Sequence, residues 1–230
     1  MSRISKKKGT VRFFDLDNSV FSIIIGQTTH MYTEGQMFAV LLFLSTQIST
    51  DFQVNNEDYP SKAHQWFSAI ANHDSGGVAI WTDLRLPNNG QRVFATRLDI
   101  NGNTVGTNFR IDDHPSNGGC GNFQDVACAY DGSFIAVWTQ HENAVGRRFS
   151  SNGEPVGPSF IINDGSPPCR NPTVTVDSAG RTAVAWSDNR DGPAQVYCQI
   201  YDEDGNPVGT NIPVSDSATG SEIHCDAALT

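Results

Sequence analysis

The sequence predicts an all-β protein made of β-propeller blades, each a four-stranded antiparallel repeat of about 50 residues. Two observations predict this fold. A glycine phrase occurs three times, as DINGNTVG at 99–106, SSNGEPVG at 150–157 and DEDGNPVG at 202–209. An apolar run that ends in Trp precedes each copy, and these runs lie at 77–81, 134–138 and 182–186.

Each repeat contains four short segments of strand-forming residues. In the third copy we expect these strands at 173–176, 181–187, 195–201 and 210–215. Clusters of Asp, Ser, Gly, Asn and Pro separate them, as between the strands of a meander. No window shows the 3.6-residue periodicity of an amphipathic helix.

A short tail follows each glycine phrase and supplies the fourth strand. The three tails are FRIDD at 109–113, FIIND at 160–164 and IPVSD at 212–216. A fourth copy, FQVNN at 52–56, precedes the first complete repeat. The array therefore begins with a fourth strand, and it ends in DAALT, the start of another unit. We expect an incomplete propeller array that belongs to a longer one.

The Trp-containing strand distinguishes a propeller from the alternative fold, a tandem β-sandwich. SFIAVW and RTAVAW are almost continuously apolar rather than alternating. A strand buried on both faces has this pattern. Blades of a propeller pack between two neighbours, whereas a sandwich strand has one face in water. The pattern favours the propeller, with the three Trp residues as core anchors between blades.

The chain divides into two regions by composition. Residues 1–50 lack Trp and the glycine phrase, and their most apolar run is MFAVLLFL at 37–44. Eight residues are too few to span a bilayer, which needs about 20, but they suit the hydrophobic region of a secretion signal or a buried strand. Residues 51–230 hold the repeats, with units of about 66–122, 123–171 and 172–225.

The repeat resembles a unit found in secreted bacterial surface proteins, G-x-F-V-V-x-W-x-D-x-R-x-G followed by Y-x-Q-R-x-D-x-x-G-N-P-x-G-x-x-F-x-V-N. Some of these proteins carry a type IX sorting domain. The third copy matches best, through Trp186, Asp188, Arg190, Gly192, Tyr197, Gln199, Asp202, Gly205, Asn206, Pro207 and Gly209. The second copy departs, with Gln140 and His141 where the others have Asp. The resemblance implies a propeller scaffold and export to the cell surface or medium, and no particular activity.

The net charge and the cysteine spacing argue against particular classes of partner and metal site. The formal net charge of −10 would repel phosphate backbones and anionic membranes, which argues against nucleic acid as a partner. Five cysteines without a C-x-x-C pair argue against a zinc cluster. One or two disulfides are expected in an exported chain, with the connectivity open among Cys120, Cys128, Cys169, Cys198 and Cys225.

Few residues suggest chemistry. Asp83 and Arg85, like Asp188 and Arg190, follow the Trp strand, where they would brace a loop or bind a ligand at a blade edge. Asp202 and Asp204 are weak candidates for a calcium site, although the second copy has no carboxylate before Gly153. An Asn-Gly or Asp-Gly pair is shared by all copies and is typical of a tight hairpin turn. We expect no cofactor.

These observations favour a secreted, non-catalytic propeller module that serves for binding, with carbohydrate or protein at its loops, or for surface display. Two alternatives remain. One is a propeller glycoside hydrolase whose catalytic carboxylates lie elsewhere, since hydrolysis needs a carboxylate pair. The other is a calcium-stiffened adhesion module. The six histidines are scattered, and no nucleophile elbow, P-loop or dinucleotide fingerprint occurs.

Overall fold

The computed structural model describes the backbone of residues 12–16, 19–23, 31–33 and 36–38, together with residues 54, 64–86, 90–114, 120–165, 168–215 and 227. The chain divides into two compact units, Met1–Phe52 and Gln53–Thr230. Within the first unit, β1 (Arg12–Leu16) pairs with β2 (Ser19–Ile23), and β3 (Met31–Thr33) pairs with β4 (Gln36–Phe38). The signal-like run at 37–44 enters β4 with two residues, and its remainder lies outside the described residues.

In the described part of the second unit, the strands form three four-stranded antiparallel sheets, which we call blades 1, 2 and 3. Blade 1 contains β5 (Gln65–His73), β6 (Gly76–Asp83), β7 (Arg92–Asp99) and β8 (Thr104–Arg110). Blade 2 contains β9 (Cys120–Cys128), β10 (Phe134–Gln140), β11 (Asn143–Phe149) and β12 (Phe160–Ile161). Blade 3 contains β13 (Arg170–Val176), β14 (Thr182–Asp188), β15 (Gln195–Tyr201) and β16 (Pro207–Pro213).

The prediction of propeller blades is confirmed. Neighbouring blades meet chiefly through their first strands, since β9 lies against both β5 and β13. The Trp-containing second strands are the centres of the sheets, and β6 and β14 are buried along their whole length. A strand covered on both faces needs apolar residues in succession, which explains the uninterrupted apolar runs of the sequence.

Two hydrophobic clusters lie between the blades. The first joins Val78, Ile80 and Ile111 of blade 1 to Val126 and Trp138 of blade 2. The second joins the opposite face of blade 2 to blade 3, with the ring centroids of Phe160 and Tyr201 5.7 Å apart. Each blade therefore has a leading face, directed at the preceding blade, and a trailing face, directed at the next.

The glycine phrase forms the hairpin turn between the third and fourth strands. Gly102, Gly153 and Gly205 have φ angles of +83°, +83° and +86°. The amide of Gly205 donates to the carbonyl of Asp202 at 3.0 Å, and the amide of Asp202 donates to the carbonyl of Asn206 at 2.9 Å. This is a three-residue hairpin loop whose last residue needs a left-handed conformation, so the predicted turn is confirmed.

The tail after each fourth strand returns to the start of the third strand. The backbone amide of Val93 donates to Asp112 Oδ2 at 3.0 Å, and that of Ala144 donates to Asn163 Oδ1 at 3.0 Å. In blade 3 the amide of Val196 donates to the hydroxyl of Ser215 at 2.8 Å. A polar residue stands at this place in every tail because it accepts from an otherwise unpaired strand-end amide.

Val54 is the one described residue of the tail at 52–56, and it contacts blade 1. Asn108 Nδ2 donates to the carbonyl of Val54 at 3.1 Å. Asn211, six residues after Gly205 as Asn108 is after Gly102, donates to the carbonyl of Ile162 at 3.2 Å. Val54 and Ile162 hold the same place in their tails, so Val54 accepts from blade 1 as Ile162 accepts from blade 3.

Candidate functional site

The first strand of every blade carries a β-bulge at the same position. In blade 1 the register shifts between Trp66 and Ala69, so Phe67 and Ser68 together face Trp81. The bulges of blades 2 and 3 likewise stand opposite their strand-two tryptophans, Trp138 and Trp186. Bulges occur beside active sites, where they redirect side chains. The blade end that holds them also holds the loops after the second strands, and we call it the bulge end.

The bulged residues adopt a conformation that side chains rarely tolerate. Phe67, Phe123 and Asn171 have φ angles of 52°, 53° and 52°. A left-handed conformation at a residue other than glycine costs on the order of 1–3 kcal/mol and is concentrated at functional sites. Its occurrence at one position in three consecutive blades shows that the fold imposes it. Neither Phe67 nor Phe123 is a glycine or part of a turn dipeptide, so sequence reasoning missed them, whereas the Asn171-Pro172 pair was a signal that could have been used.

An aromatic cluster projects from the bulge end of blades 1 and 2. The ring centroids of Phe67 and Phe123 are 4.8 Å apart, and those of Trp66 and Phe67 are 6.5 Å apart. His64 extends the group, with its ring 6.3 Å from Trp66. Phe67 is 43% exposed, whereas the strand-two tryptophans are buried. The cluster thus offers aromatic surface to a ligand where the first strands meet.

Asp83 closes the loop after the second strand of blade 1. Its Oδ2 accepts from Trp81 Nε1 at 2.9 Å and from Arg85 Nη2 at 2.6 Å, and its Oδ1 accepts from the Arg85 amide at 2.7 Å. Gln65 Nε2 adds a further hydrogen bond at 2.9 Å. Burial alone would raise the pKa of Asp83, but the hydrogen bonds from Arg85 and Trp81 and the charge of Arg85 outweigh it and hold the pKa below its ordinary value of 3.8.

Blade 3 repeats this arrangement. Asp188 Oδ2 accepts from Trp186 Nε1 at 2.9 Å and from Arg190 Nη2 at 2.6 Å, and Arg190 also pairs with Asp164. The Arg190 guanidinium carbon lies 4.1 Å from the ring centroid of Tyr197. In both motifs the Asp and Arg are joined by charge-assisted hydrogen bonds within the loop. Their hydrogen-bonding groups are directed at one another and at the neighbouring strands.

Asp125 is the carboxylate of the first strand of blade 2. Its Oδ2 accepts from Thr173 Oγ1 at 2.7 Å and from the amide of Val174 at 2.9 Å, both on the first strand of blade 3. It therefore joins two neighbouring first strands. Asp83, Asp125 and Asp188 all have structural partners, and none of them is placed as an unengaged acid or base.

The weak calcium candidates in the third glycine phrase belong to the turn. Asp202 Oδ1 accepts from the amide of Asn206 at 2.7 Å, and Oδ2 accepts from its side chain at 3.2 Å. Asp99 makes the same bonds to Asn103, while Ser150 forms the equivalent turn without a carboxylate. Among the described residues no group of three or more His, Cys, Asp or Glu side chains could hold a metal ion. The carboxylate of Asp202 is therefore engaged in the turn, and calcium binding by Asp202 and Asp204 stays a prediction.

Two further observations concern histidine and cysteine. The rings of His114 and His141 lie 4.8 Å apart in an edge-to-face arrangement. Cys128, Cys169 and Cys198 are free thiols, and burial raises the pKa of Cys169 to about 12. The side chains of Cys120 and Cys225 lie outside the described residues. In the segments that the structure describes, no helix is long and apolar enough to cross a membrane.

Comparison with known proteins finds likeness in structure alone. No protein-family model matches the chain, and no curated protein matches it. The α-L-arabinofuranosidase PaAbf62A of Podospora anserina, solved with cellotriose, is 12% identical with a TM-score of 0.44, over 70% of this chain and 54% of its own. The endo-arabinase of Bacteroides thetaiotaomicron is 9% identical with a TM-score of 0.41, over 66% and 62%. The chain thus spans less than two thirds of the length of either protein.

These neighbours correct the leading functional prediction. Both are glycoside hydrolases with propeller folds, so the prediction of a non-catalytic module for binding or display is wrong. The alternative of a propeller glycoside hydrolase fragment is the one that they favour. The resemblance to secreted bacterial repeat proteins, and the export that it implies, stay predictions.

Proposed function

We propose that the second unit is part of a propeller glycoside hydrolase and that its carbohydrate lies at the bulge end, against Trp66, Phe67 and Phe123. The observation that carries this proposal is the exposed aromatic cluster on strained first strands. An exposed phenyl ring and a left-handed backbone both cost free energy, and a shared binding role would account for retaining them.

Carbohydrate is the ligand class that this surface suits. A sugar ring has one face lined by C–H groups, which packs on an aromatic ring, while its hydroxyls remain available for hydrogen bonds. The rings of Phe67 and Phe123 form one continuous aromatic surface. Asn171, at the equivalent place in blade 3, has an amide suited to hydroxyl groups. A ring stacked on blades 1 and 2 would have its polar edge towards blade 3.

The catalytic acid and base come from outside the described residues in this proposal. Hydrolysis requires two carboxyl groups about 5–9.5 Å apart, one of them with a raised pKa. Asp83 has a lowered pKa, and Asp125 and Asp188 are engaged in structural hydrogen bonds. The blades described here would therefore bind and orient the substrate. We extend the proposal to a polysaccharide outside the cell, which accords with the predicted export.

The proposal is tested by binding of the full chain to a glycan array that includes arabinan and β-glucan oligosaccharides, followed by a hydrolase screen of the glycans retained. Phe67→Ala should weaken retention at least about tenfold, as loss of a central aromatic contact does. Tyr130→Ala is the matched control, since Tyr130 is an exposed aromatic residue in the turn at the opposite blade end. Absence of glycan binding, or binding that Phe67→Ala leaves unchanged, would contradict the proposal.

A further inference from the structure

A groove lies between blades 1 and 2, towards the end opposite the bulge end. Its volume is about 340 Å³, at the lower end of the range of about 300–1,000 Å³ typical of small-molecule sites. One wall is the fourth strand of blade 1, and the other is the glycine phrase of blade 2. Its lining includes Arg97, Phe109 and Phe149, with Asn152 and Glu154 from the turn. We call it the hairpin groove.

The equivalent contact between blades 2 and 3 contains an arginine packed on an aromatic pair. The guanidinium carbon of Arg148 lies 5.2 Å from the ring centroids of both Phe160 and Tyr201. Its Nη1 donates to the carbonyl of Gly205 at 3.3 Å. At this contact the guanidinium is therefore packed between the blades.

Arg97 has the same strand position in blade 1, but its guanidinium is placed differently. Arg97 and Arg148 each lie five residues before the glycine of their own phrase. The part of Arg97 near the next turn is Cδ, 3.5 Å from where a Cβ at Gly153 would lie. Its Nη1 donates to the carbonyl of Ser151 at 3.2 Å, the one side-chain hydrogen bond of Arg97 among the residues that the structure describes. Further N–H donors of this guanidinium are thus available to a ligand.

Glu154 supplies an acceptor to the same groove. Its backbone amide donates to Ser150 Oγ at 3.3 Å, which holds it in the turn. Within the described ranges its carboxylate has no hydrogen-bond or ion-pair partner, so it is not paired with Arg97. The groove thus presents a cationic donor and an anionic acceptor beside the half-buried ring of Phe109. A ligand that both donates and accepts hydrogen bonds, and that has one apolar face, matches all three.

We propose that the hairpin groove is a second carbohydrate site, in which Arg97 donates to sugar hydroxyls, Glu154 accepts from them and the C–H face of the sugar packs on Phe109. A hydroxyl group is both donor and acceptor, so one sugar ring can satisfy both charged side chains. A neutral sugar also suits a chain of net charge −10, which repels anions.

This inference goes beyond the proposed function, because it uses other residues at the other end of the blades. A polysaccharide long enough to contact both sites would be retained more strongly than by either site alone, and loss of either would weaken its retention. Short oligosaccharides report each site separately.

Calorimetric titration of the full chain with arabinan and β-glucan trisaccharides tests the inference. Arg97→Met keeps an apolar stem against the turn and removes the donors, so it should weaken binding at this site at least about tenfold. Glu154→Gln should weaken it less, because the amide oxygen still accepts. Arg181→Met is the matched control at an exposed arginine in a turn of blade 3 at the same blade end, and it should leave binding unchanged. Thermal melts should show that the variants remain folded.

The variant Phe67→Ala separates this site from the bulge end. We expect two binding events in the wild type, of which Phe67→Ala removes one and Arg97→Met the other. A single event that only Arg97→Met weakens would support the hairpin groove and contradict the site at the bulge end. A single event that only Phe67→Ala weakens, or no event that Arg97→Met weakens, would overturn the inference.

Discussion

Blade 2 differs from blades 1 and 3 in the residue that accepts a hydrogen bond from its strand-two Trp. In each blade the indole N–H of the strand-two Trp is buried and needs an acceptor. Asp83 and Asp188 accept it in blades 1 and 3, whereas Gln140 Oε1 accepts from Trp138 Nε1 at 3.0 Å in blade 2. The carboxylates also hold Arg85 and Arg190, and these anchor a longer connection to the third strand.

The connection in blade 2 has no such arginine. Only His141 and Glu142 lie between β10 and β11, and their φ angles are 46° and 64°. A two-residue hairpin with both residues left-handed is pinned by the strand register itself. An acceptor for the indole is thus present in all three blades, while the carboxylate–arginine brace accompanies only the longer loops.

The largest loss of stability should follow truncation of the strand-two Trp, which all three blades share. Trp138 and Trp186 are both fully buried. Truncation of either to alanine should cost about 3–5 kcal/mol, as for other large core residues. Urea denaturation of the two variants should give similar free energies of unfolding, because the core contact is equivalent although the loops differ. A loss below about 1 kcal/mol at either position would show that the Trp is not a core anchor.

Loss of the carboxylate–arginine brace in blade 3 should cost more stability than loss of the glutamine acceptor in blade 2. Asp188→Ala removes the acceptor of Trp186 and leaves Arg190 without its buried carboxylate, so we expect a loss of about 3 kcal/mol. Gln140→Ala removes one neutral hydrogen bond and should cost about 1 kcal/mol. Both values come from the same denaturation experiment. Equal losses would indicate that the arginine contributes nothing beyond the indole acceptor.

Substitutions of glycine in the hairpin turns should cost less stability than truncation of the Trp residues. Gly205→Val and Gly180→Val both place a side chain at a positive φ and should each cost roughly 1–3 kcal/mol. Gly205 should be the worse site, because a Cβ there would lie 2.6 Å from Arg148 Nη1, whereas nothing lies within 4 Å of one at Gly180. Thermal melts with chelator and with millimolar calcium should coincide for the wild type. A calcium-induced rise that Asp204→Asn abolishes would show that the turn binds metal.

The smallest effect should be a difference in pH dependence. The pKa of Asp83 is lowered in the folded chain, so its ionised form stabilises the fold. That contribution is complete above the unfolded pKa of about 3.9 and is lost as the pH falls through the lower folded value. The stability advantage of the wild type over Asp83→Asn should therefore shrink between about pH 5 and pH 2. Gln140→Ala, which removes no titrating group, should keep a constant difference from the wild type.

Sequence patterns sufficed for the second strands and the turns but not for the bulges. The apolar runs ending in Trp81, Trp138 and Trp186 identify strands covered on both faces, and the glycine phrases identify left-handed turn residues. Phe67 and Phe123 have no local turn chemistry, and their conformation follows from pairing two residues against one on the neighbouring strand. Register is a property of residues that are distant in the sequence, so the bulges could be identified only from the structure.

The candidate site was missed for the same reason. Asp83, Arg85, Asp188 and Arg190 stood out because they recur in the sequence, but recurrence reflected a shared structural need. The aromatic cluster comes from two different blades and has no common motif in the chain. In blade 3 the strand β13 begins at Arg170, three residues before its predicted start at 173, because the bulge extends the strand beyond the apolar pattern.

Tryptophan fluorescence tests the central claim, that a carbohydrate binds at the bulge end. Trp66 is half-buried beside Phe67, while Trp81, Trp138 and Trp186 are buried. Titration with the best oligosaccharide from the array should produce a saturable change in emission from the wild type. Trp66→Phe keeps an aromatic ring, so it should retain binding by calorimetry and lose the emission change. An emission change that persists in Trp66→Phe, or calorimetric binding without any change in the wild type, would place the ligand elsewhere and contradict the account.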